Sequence, residues 1–226
     1  MIVKTPQKQL SVKSYPVKAE RLFSVIAPFY DLVLSRPLTS LYRKAIEQTL
    51  TLFPRLNPDN IKDSDLERQP DKTALDVGTG TGLLAAILAD YNFTVSGIDV
   101  TAGMLKIAKR RRSHTAEFNH APAHHSSIQP GAPFDLVCAS MLMHGLPRDY
   151  RQQVLKDMAK ASKHGVMIID YSPHYRLITS IIESIEGSFY HSFLREFPED
   201  LFHCYGYTNV LIHPLNNSCS LYVGYV

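Results

Sequence analysis

A chain of 226 residues can bury one substantial core, so a single domain with embellishments is the default over two. Lys and Arg number 24 against 21 Asp and Glu, and the formal net charge of +3 is too balanced for a nucleic-acid footprint, which shows as a strong clustered excess. Three widely spaced cysteines (Cys138, Cys204, Cys219) without a CxxC pair fit a reduced protein better than a disulfide scaffold or a zinc site. The first twenty residues lack the apolar centre of a signal peptide, and the longest apolar runs, such as 83–89, are too short to cross a membrane. The expectation is a cytoplasmic protein without a membrane span.

From about Ala19 to Leu56 apolar residues recur at helical spacing, and Pro28 and Pro37 are expected to divide the stretch into short helices and a longer one. Residues 57–72 are polar and carry proline, which reads as a linker. Regular alternation follows. Strands are expected at Thr73–Val77, Phe93–Asp99, Thr115–His120, Phe134–Ala139 and Gly165–Asp170. Helices are expected at Gly82–Asp90, at Ala102–Arg112 behind a Thr101 N-cap, and at Asp149–Ser162. The basic run Lys109–Arg112 falls where cations complement a helix C-terminus. After Asp170 an aromatic-rich stretch over 172–206 reads as helical in pieces. Thr208–Leu215 and Cys219–Val226 then form two strands around an Asn-Asn-Ser turn at 216–218.

Strands alternating with helices at this spacing predict βαβ units: an α/β, Rossmann-like, doubly wound and mostly parallel seven-stranded sheet, closed by a C-terminal antiparallel hairpin and covered by helical lid elements. The continuous apolar character of the strands agrees, because such strands are buried on both faces. The chain divides into a helical cap and linker (1–72), a ligand-binding core (73–171), an aromatic lid insertion (172–206) and the closing hairpin (207–226).

Residues 76–82 read Asp-Val-Gly-Thr-Gly-Thr-Gly. In a doubly wound sheet the ligand sits beyond the carboxyl ends of the strands, where glycine lets backbone and helix N-terminus approach it closely. The dinucleotide pattern G-x-G-x-x-G needs a third glycine at 83, where the chain has Leu83, and no Gly-Lys-Ser/Thr follows to make a P-loop. Asp99 stands 17 residues after Gly82 at the end of the second strand, where a carboxylate can take two hydrogen bonds from a ribose diol. With Asp76, two carboxylates around one pocket disfavour a pyrophosphate and favour a ligand carrying positive charge. S-adenosylmethionine supplies an ammonium, a sulfonium and a ribose.

These motifs, with Gly97-Ile98-Asp99 and Phe134-Asp135-Leu136-Val137, resemble those of the class I S-adenosylmethionine-dependent methyltransferases. The run Ile26–Ser35 is similar to the ubiquinone/menaquinone-biosynthesis type that acts on small molecules. The similarity covers about residues 20–171. It implies that Gly78, Thr79, Gly80 and Gly82 pass the methionine and ribose portion, with Asp76 near the ammonium and Asp99 on the ribose hydroxyls. It further implies Val100 and Met104 against the adenine, Tyr30 folded over the cofactor, and Ser140 and Met141 at the methionine end. The acid that the family places after the third strand to accept from the adenine amino group is absent; Asn119-His120-Ala121 stand there, and a neutral His120 or a backbone group would take that bond. An Asn-Pro-Pro-Tyr-type motif after the fourth strand is also missing, which counts against DNA adenine and glutamine as acceptors.

No metal site is expected: His114, His120, His124 and His125 lie in a strand-loop stretch without a nearby Cys, Asp or second acidic ligand. His144 follows the fourth strand at the mouth of the expected pocket, as a general base, a substrate-orienting group or a satisfied loop histidine. His144, Tyr171 and His174 are the candidates for polar work on the acceptor. The aromatics of the insertion serve as its core, as the wall of an apolar substrate pocket, or as both. The expected activity is direct methyl transfer from S-adenosylmethionine, with S-adenosylhomocysteine as product, to a small-molecule acceptor; a homodimer stays open. The alternatives are a binding protein for the same ligands without catalysis, and another transferase that uses S-adenosylmethionine on this fold.

Overall fold

The computed structural model describes residues 35–56, 72–123, 133–173, 189–203, 207 and 209–225. Tyr30, His124, His125, His174 and most of the expected linker and lid lie outside the described residues.

The strands are β1 (Lys72–Val77), β2 (Phe93–Asp99), β3 (Ala116–His120), β4 (Phe134–Ser140), β5 (Ser162–Tyr171), β6 (Asn209–Pro214) and β7 (Cys219–Tyr225). They form one sheet of order β3-β2-β1-β4-β5-β7-β6. β1 to β5 are mutually parallel, while β7 runs antiparallel to β5 and to β6. The closing hairpin therefore inserts its second strand against β5 and leaves β6 at the edge.

Helix α1 runs over residues 35–52. It is followed by α2 (Leu83–Asp90), α3 (Ala102–Arg112), α4 (Arg148–Ala161) and α5 (Tyr190–His203). Pro37 does not break α1 as expected. A proline disturbs the turn on its N-terminal side, and the amide it lacks would reach back to residue 33, outside the described residues. α5 likewise runs as one helix through Pro198.

Side chains on a strand alternate between faces, and the core divides accordingly. Ala74, Leu136, Cys138, Met167, Ile169, Leu221 and Val223 pack on one face with α1, α2 and α3. Their strand neighbours Leu75, Val137, Ala139, Val166, Ile168 and Tyr222 pack on the other with α4 and α5. α1 is also pinned by polar contacts: Lys44 donates to the Leu215 carbonyl (2.8 Å), and Gln48 meets His213 (2.9 Å). At the far end of the sheet the buried Lys72 ammonium donates to the carbonyls of Leu56 and Tyr91 (both 3.0 Å).

Chain direction across the sheet reverses at β1, which lies between β2 and β4. That switch point opens a crevice beyond the carboxyl ends of β1 and β4.

Candidate ligand pocket and the pair beside it

The turn between β1 and α2 holds all three glycines at positive φ: Gly78 at 71°, Gly80 at 55° and Gly82 at 82°. That left-handed backbone is costly for residues with a Cβ. The amides of Gly78 and Thr79 donate to the Ile98 carbonyl (2.8 and 2.9 Å), which ties the turn to the end of β2. A Cβ at Gly82 would stand 2.6 Å from the Phe118 ring, so this glycine serves packing between α2 and β3. A Cβ at Gly80 would meet nothing within 4 Å; its space is the open pocket.

Asp99 completes the turn from the other side. Its Oδ2 accepts from the Gly80 amide (2.8 Å) and its Oδ1 from the Thr101 amide (2.7 Å). Thr101 sits at the N-cap position of α3 without a side-chain capping bond. Burial raises the Asp99 pKa, and the amide donors oppose it. Asp76 is fully buried on β1. Its Oδ2 accepts from the Thr79 hydroxyl (2.7 Å), while Oδ1 lacks a hydrogen bond of normal geometry. Burial pushes its pKa up to about 7, the Asp99 charge adds to the rise, and Thr79 and the Ala85 amide oppose it.

A pocket opens at this turn. Gly78, Thr79, Gly80 and Thr81 form its floor with Leu83 and Leu84 of α2. Asp99, Val100, Thr101 and Met104 make one end together with Ala121 and Ala123; Ser140, Met141 and Leu142 make the other with Leu146 and Tyr150. Leu38 and Tyr42 of α1 close it from above. Among the expected cofactor residues, Gly78, Thr79, Gly80, Asp99, Val100, Met104, Ser140 and Met141 thus line one pocket. Asp76 and Gly82 stand behind the turn rather than on its surface. His120 is exposed, and its Nε2 pairs with the Val100 carbonyl (2.8 Å) instead of lining the pocket. Leu38, Tyr42, Leu146 and Tyr150 were not foreseen; the helical periodicity of 38–50 marks a buried face but not what it faces.

Just past β4 a single 3-10 turn (Met143–Gly145) carries His144. The ring Nδ1 lies 2.7 Å from Oδ1 of the fully buried Asp170. Tyr171 meets the ring edge-on at 4.7 Å, and Phe193 of α5 does so at 6.4 Å. His144 and Tyr171 are therefore together, and neither lines the pocket itself. Beneath them the fully buried Arg151 of α4 binds the turn's carbonyls at Met143 and Leu146 (3.5 and 3.3 Å) and Glu196 of α5 (3.4 Å). Its guanidinium lies over the rings of Phe193 and Phe197 and 3.7 Å from Asp200. Among the described residues, no group of three His, Cys, Asp or Glu is placed to hold a metal ion, and no helix is long and apolar enough to cross a membrane.

Residues 74–165, which hold both the glycine turn and His144, match the family model of a methyltransferase domain. Over this stretch the chain is similar to a methyltransferase domain. The chain is 30% identical over 116 residues to a protein of Geobacillus sp. (strain WCH70) named as a methyltransferase, a match covering 49% of this chain and 46% of that protein. It is 37% identical over 78 residues to the ubiquinone biosynthesis O-methyltransferase of Pseudoalteromonas translucida (strain TAC 125), covering 33% of each. The chain thus matches less than half the length of these curated relatives. In fold it is similar to the magnesium protoporphyrin IX methyltransferase of Synechocystis PCC 6803 with bound SAH, at a TM-score of 0.54 and 13% identity, over 96% of this chain and 88% of that one.

Proposed function

We propose that the protein is an S-adenosylmethionine-dependent methyltransferase acting on a small-molecule acceptor by direct displacement. One observation carries the reading: the pocket at the switch point is floored by left-handed glycines, and its end carboxylate, Asp99, is anchored to them through the Gly80 amide. The residues fit the cofactor. The open space at Gly80 admits a ligand against bare backbone, and Asp99 retains lone pairs for a diol after its two amide bonds. The orphaned Oδ1 of Asp76 supplies negative charge behind the turn, suited to an ammonium. Val100, Met104 and Ala123 offer the apolar end an adenine needs.

When bound, S-adenosylmethionine supplies an electrophilic methyl on a sulfonium. The chain's own contribution is to align the acceptor with that carbon and exclude water. Leu38 and Tyr42 above and Leu146 and Tyr150 at the methionine end support exclusion. An acceptor that holds a proton at neutral pH needs a base, and His144 is the residue we assign to it, with Tyr171 orienting the ring. His174 stays a candidate from the sequence alone. The division into cap (1–72), core (73–171), lid (172–206) and hairpin (207–226) belongs to the same reading, as do a cytoplasmic setting and the absence of a nucleic-acid acceptor.

Titration calorimetry with S-adenosylmethionine, S-adenosylhomocysteine and NADH tests the assignment. Binding of the first two is expected, weakened about tenfold to a hundredfold in Asp99→Ala, the range for hydrogen bonds to a charged group. Binding of NADH alone would overturn it.

A further inference from the structure

Asp170 closes β5, and its carboxylate is saturated. Oδ2 accepts from the amides of Met143 (2.8 Å) and His144 (3.3 Å), and Oδ1 accepts from its neighbour's amide at Tyr171 (2.8 Å). The fourth partner is the His144 ring, with Nδ1 at 2.7 Å from Oδ1. An ionised carboxylate offers about four acceptor sites and no proton. With both oxygens accepting from main-chain amides, the nitrogen facing Oδ1 is the one that carries the hydrogen.

The geometry points to Asp170 as a positioning residue that fixes His144 in the Nδ1–H tautomer and so makes Nε2 the proton-accepting nitrogen. The same carboxylate holds both the ring and the backbone amide of His144, so the imidazole and the turn that bears it share one anchor. The edge-on Tyr171 and Phe193 rings limit rotation about the remaining torsion. Arg151 supports the assembly from below: its charge interacts with Asp170, and it grips the carbonyls of the same turn. What the tautomer is for rests on the methyl-transfer reading above. The acceptor's X–H proton passes to Nε2, its electron pair forms the bond to the methyl carbon, and the broken carbon–sulfur pair stays on sulfur. Nδ1–H then remains on Asp170, which stabilises the imidazolium formed.

The test reads the ring directly. In protein labelled with 15N-histidine, long-range proton–nitrogen correlation spectra separate the two tautomers, and His144→Gln assigns the signals. Wild-type protein above pH 8 is expected to show a pyrrole-type Nδ1 and a pyridine-type Nε2 for His144. In Asp170→Asn the amide must turn its NH2 toward one of the main-chain donors or toward the ring. The signals are then expected to move to the Nε2–H tautomer or to a mixture. An Nε2–H ring in the wild type, or identical spectra in folded wild type and Asp170→Asn, would overturn the assignment. If Asp170→Asn does not fold, the wild-type spectrum decides alone. Failure of the wild type to bind S-adenosylmethionine would remove the methyl-transfer reading without moving the tautomer, so the two failures are distinguishable.

Discussion

Asp76 carries a carboxyl whose proton is held far better in the folded chain than out of it, from an ordinary 3.8 up to about 7, because it is buried with one oxygen unpartnered. Below the unfolded value both states hold the proton and the group does not affect folding. Between 3.8 and about 7 only the folded state holds it, so stability falls as pH rises, and above about 7 the loss is complete. The ligand-free protein is therefore expected to melt at a higher temperature near pH 5 than near pH 8 through this group, by a few kcal/mol in all. Asp76→Asn should flatten that slope, at a pH-independent cost of about 1–3 kcal/mol for a buried amide hydrogen without an acceptor; denaturant melts at both pH values check it. The glycines separate by the same logic. Gly82→Ala drives a methyl into the Phe118 ring as well as straining φ, so it should cost about 2–4 kcal/mol of stability. Gly80→Ala has room and should cost about 1–2 kcal/mol, while the methyl occupies ligand space. Thermal melts and calorimetry on the pair should show opposite dominance: stability lost at 82, binding lost at 80.

α4 and α5 are joined through Arg151, whose fully buried side chain lies over the stacked rings of Phe193 and Phe197 with Glu196 and Asp200 as counter-charges. Removing it empties a large buried volume and leaves Asp200 with Arg148 (2.9 Å) as its remaining counter-charge, so Arg151→Ala is expected to destabilise by about 2–4 kcal/mol. Arg151→Met with Asp200→Leu should recover much of that loss in a double-mutant cycle. An outcome in which the double variant is as unstable as the sum of the singles would sink this account of the clamp. None of it was legible in the sequence: Arg151 sits on a helix whose pattern marked only an amphipathic face, and its partners lie 45 and 49 residues away. The strands were legible almost to the residue, because an apolar run bounded by Gly, Asp and Thr admits few other readings. Thr73–Val77 gained one residue, and Gly165–Asp170 gained three at its start, where Ser162 and Gly165 bond each other locally. α1 was misjudged because Pro37 was given more power to stop a helix than its missing amide warrants.

Across the whole molecule, alternating strands and helices made a doubly wound sheet legible and put the ligand beside the first strand, while the strand order itself came from the structure. Insertion of β7 between β5 and β6 was not legible either, since a hairpin may dock by either strand; its continuously buried residues, Cys219 to Gly224, chose the interior position. The pocket depends on this arrangement, because it joins the ends of β1, β2 and β4 to α1, and a ligand that spans it stabilises the fold as a unit. A ligand at a hundred times its dissociation constant adds about 2.7 kcal/mol. At about 2–4 °C per kcal/mol for a chain of this size, S-adenosylhomocysteine should raise the melting temperature by about 5–11 °C. Its ammonium placed near Asp76 would favour the ionised carboxyl, so binding must release a proton where Asp76 is neutral in the free protein. Affinity, and the thermal shift with it, is therefore expected to be larger at pH 8 than at pH 5.5. Equal shifts at both pH values in wild type and Asp76→Asn would place the ammonium away from Asp76 while leaving the pocket assignment intact. Absence of any shift at either pH would mean that the glycine turn and Asp99 are a structural brace alone.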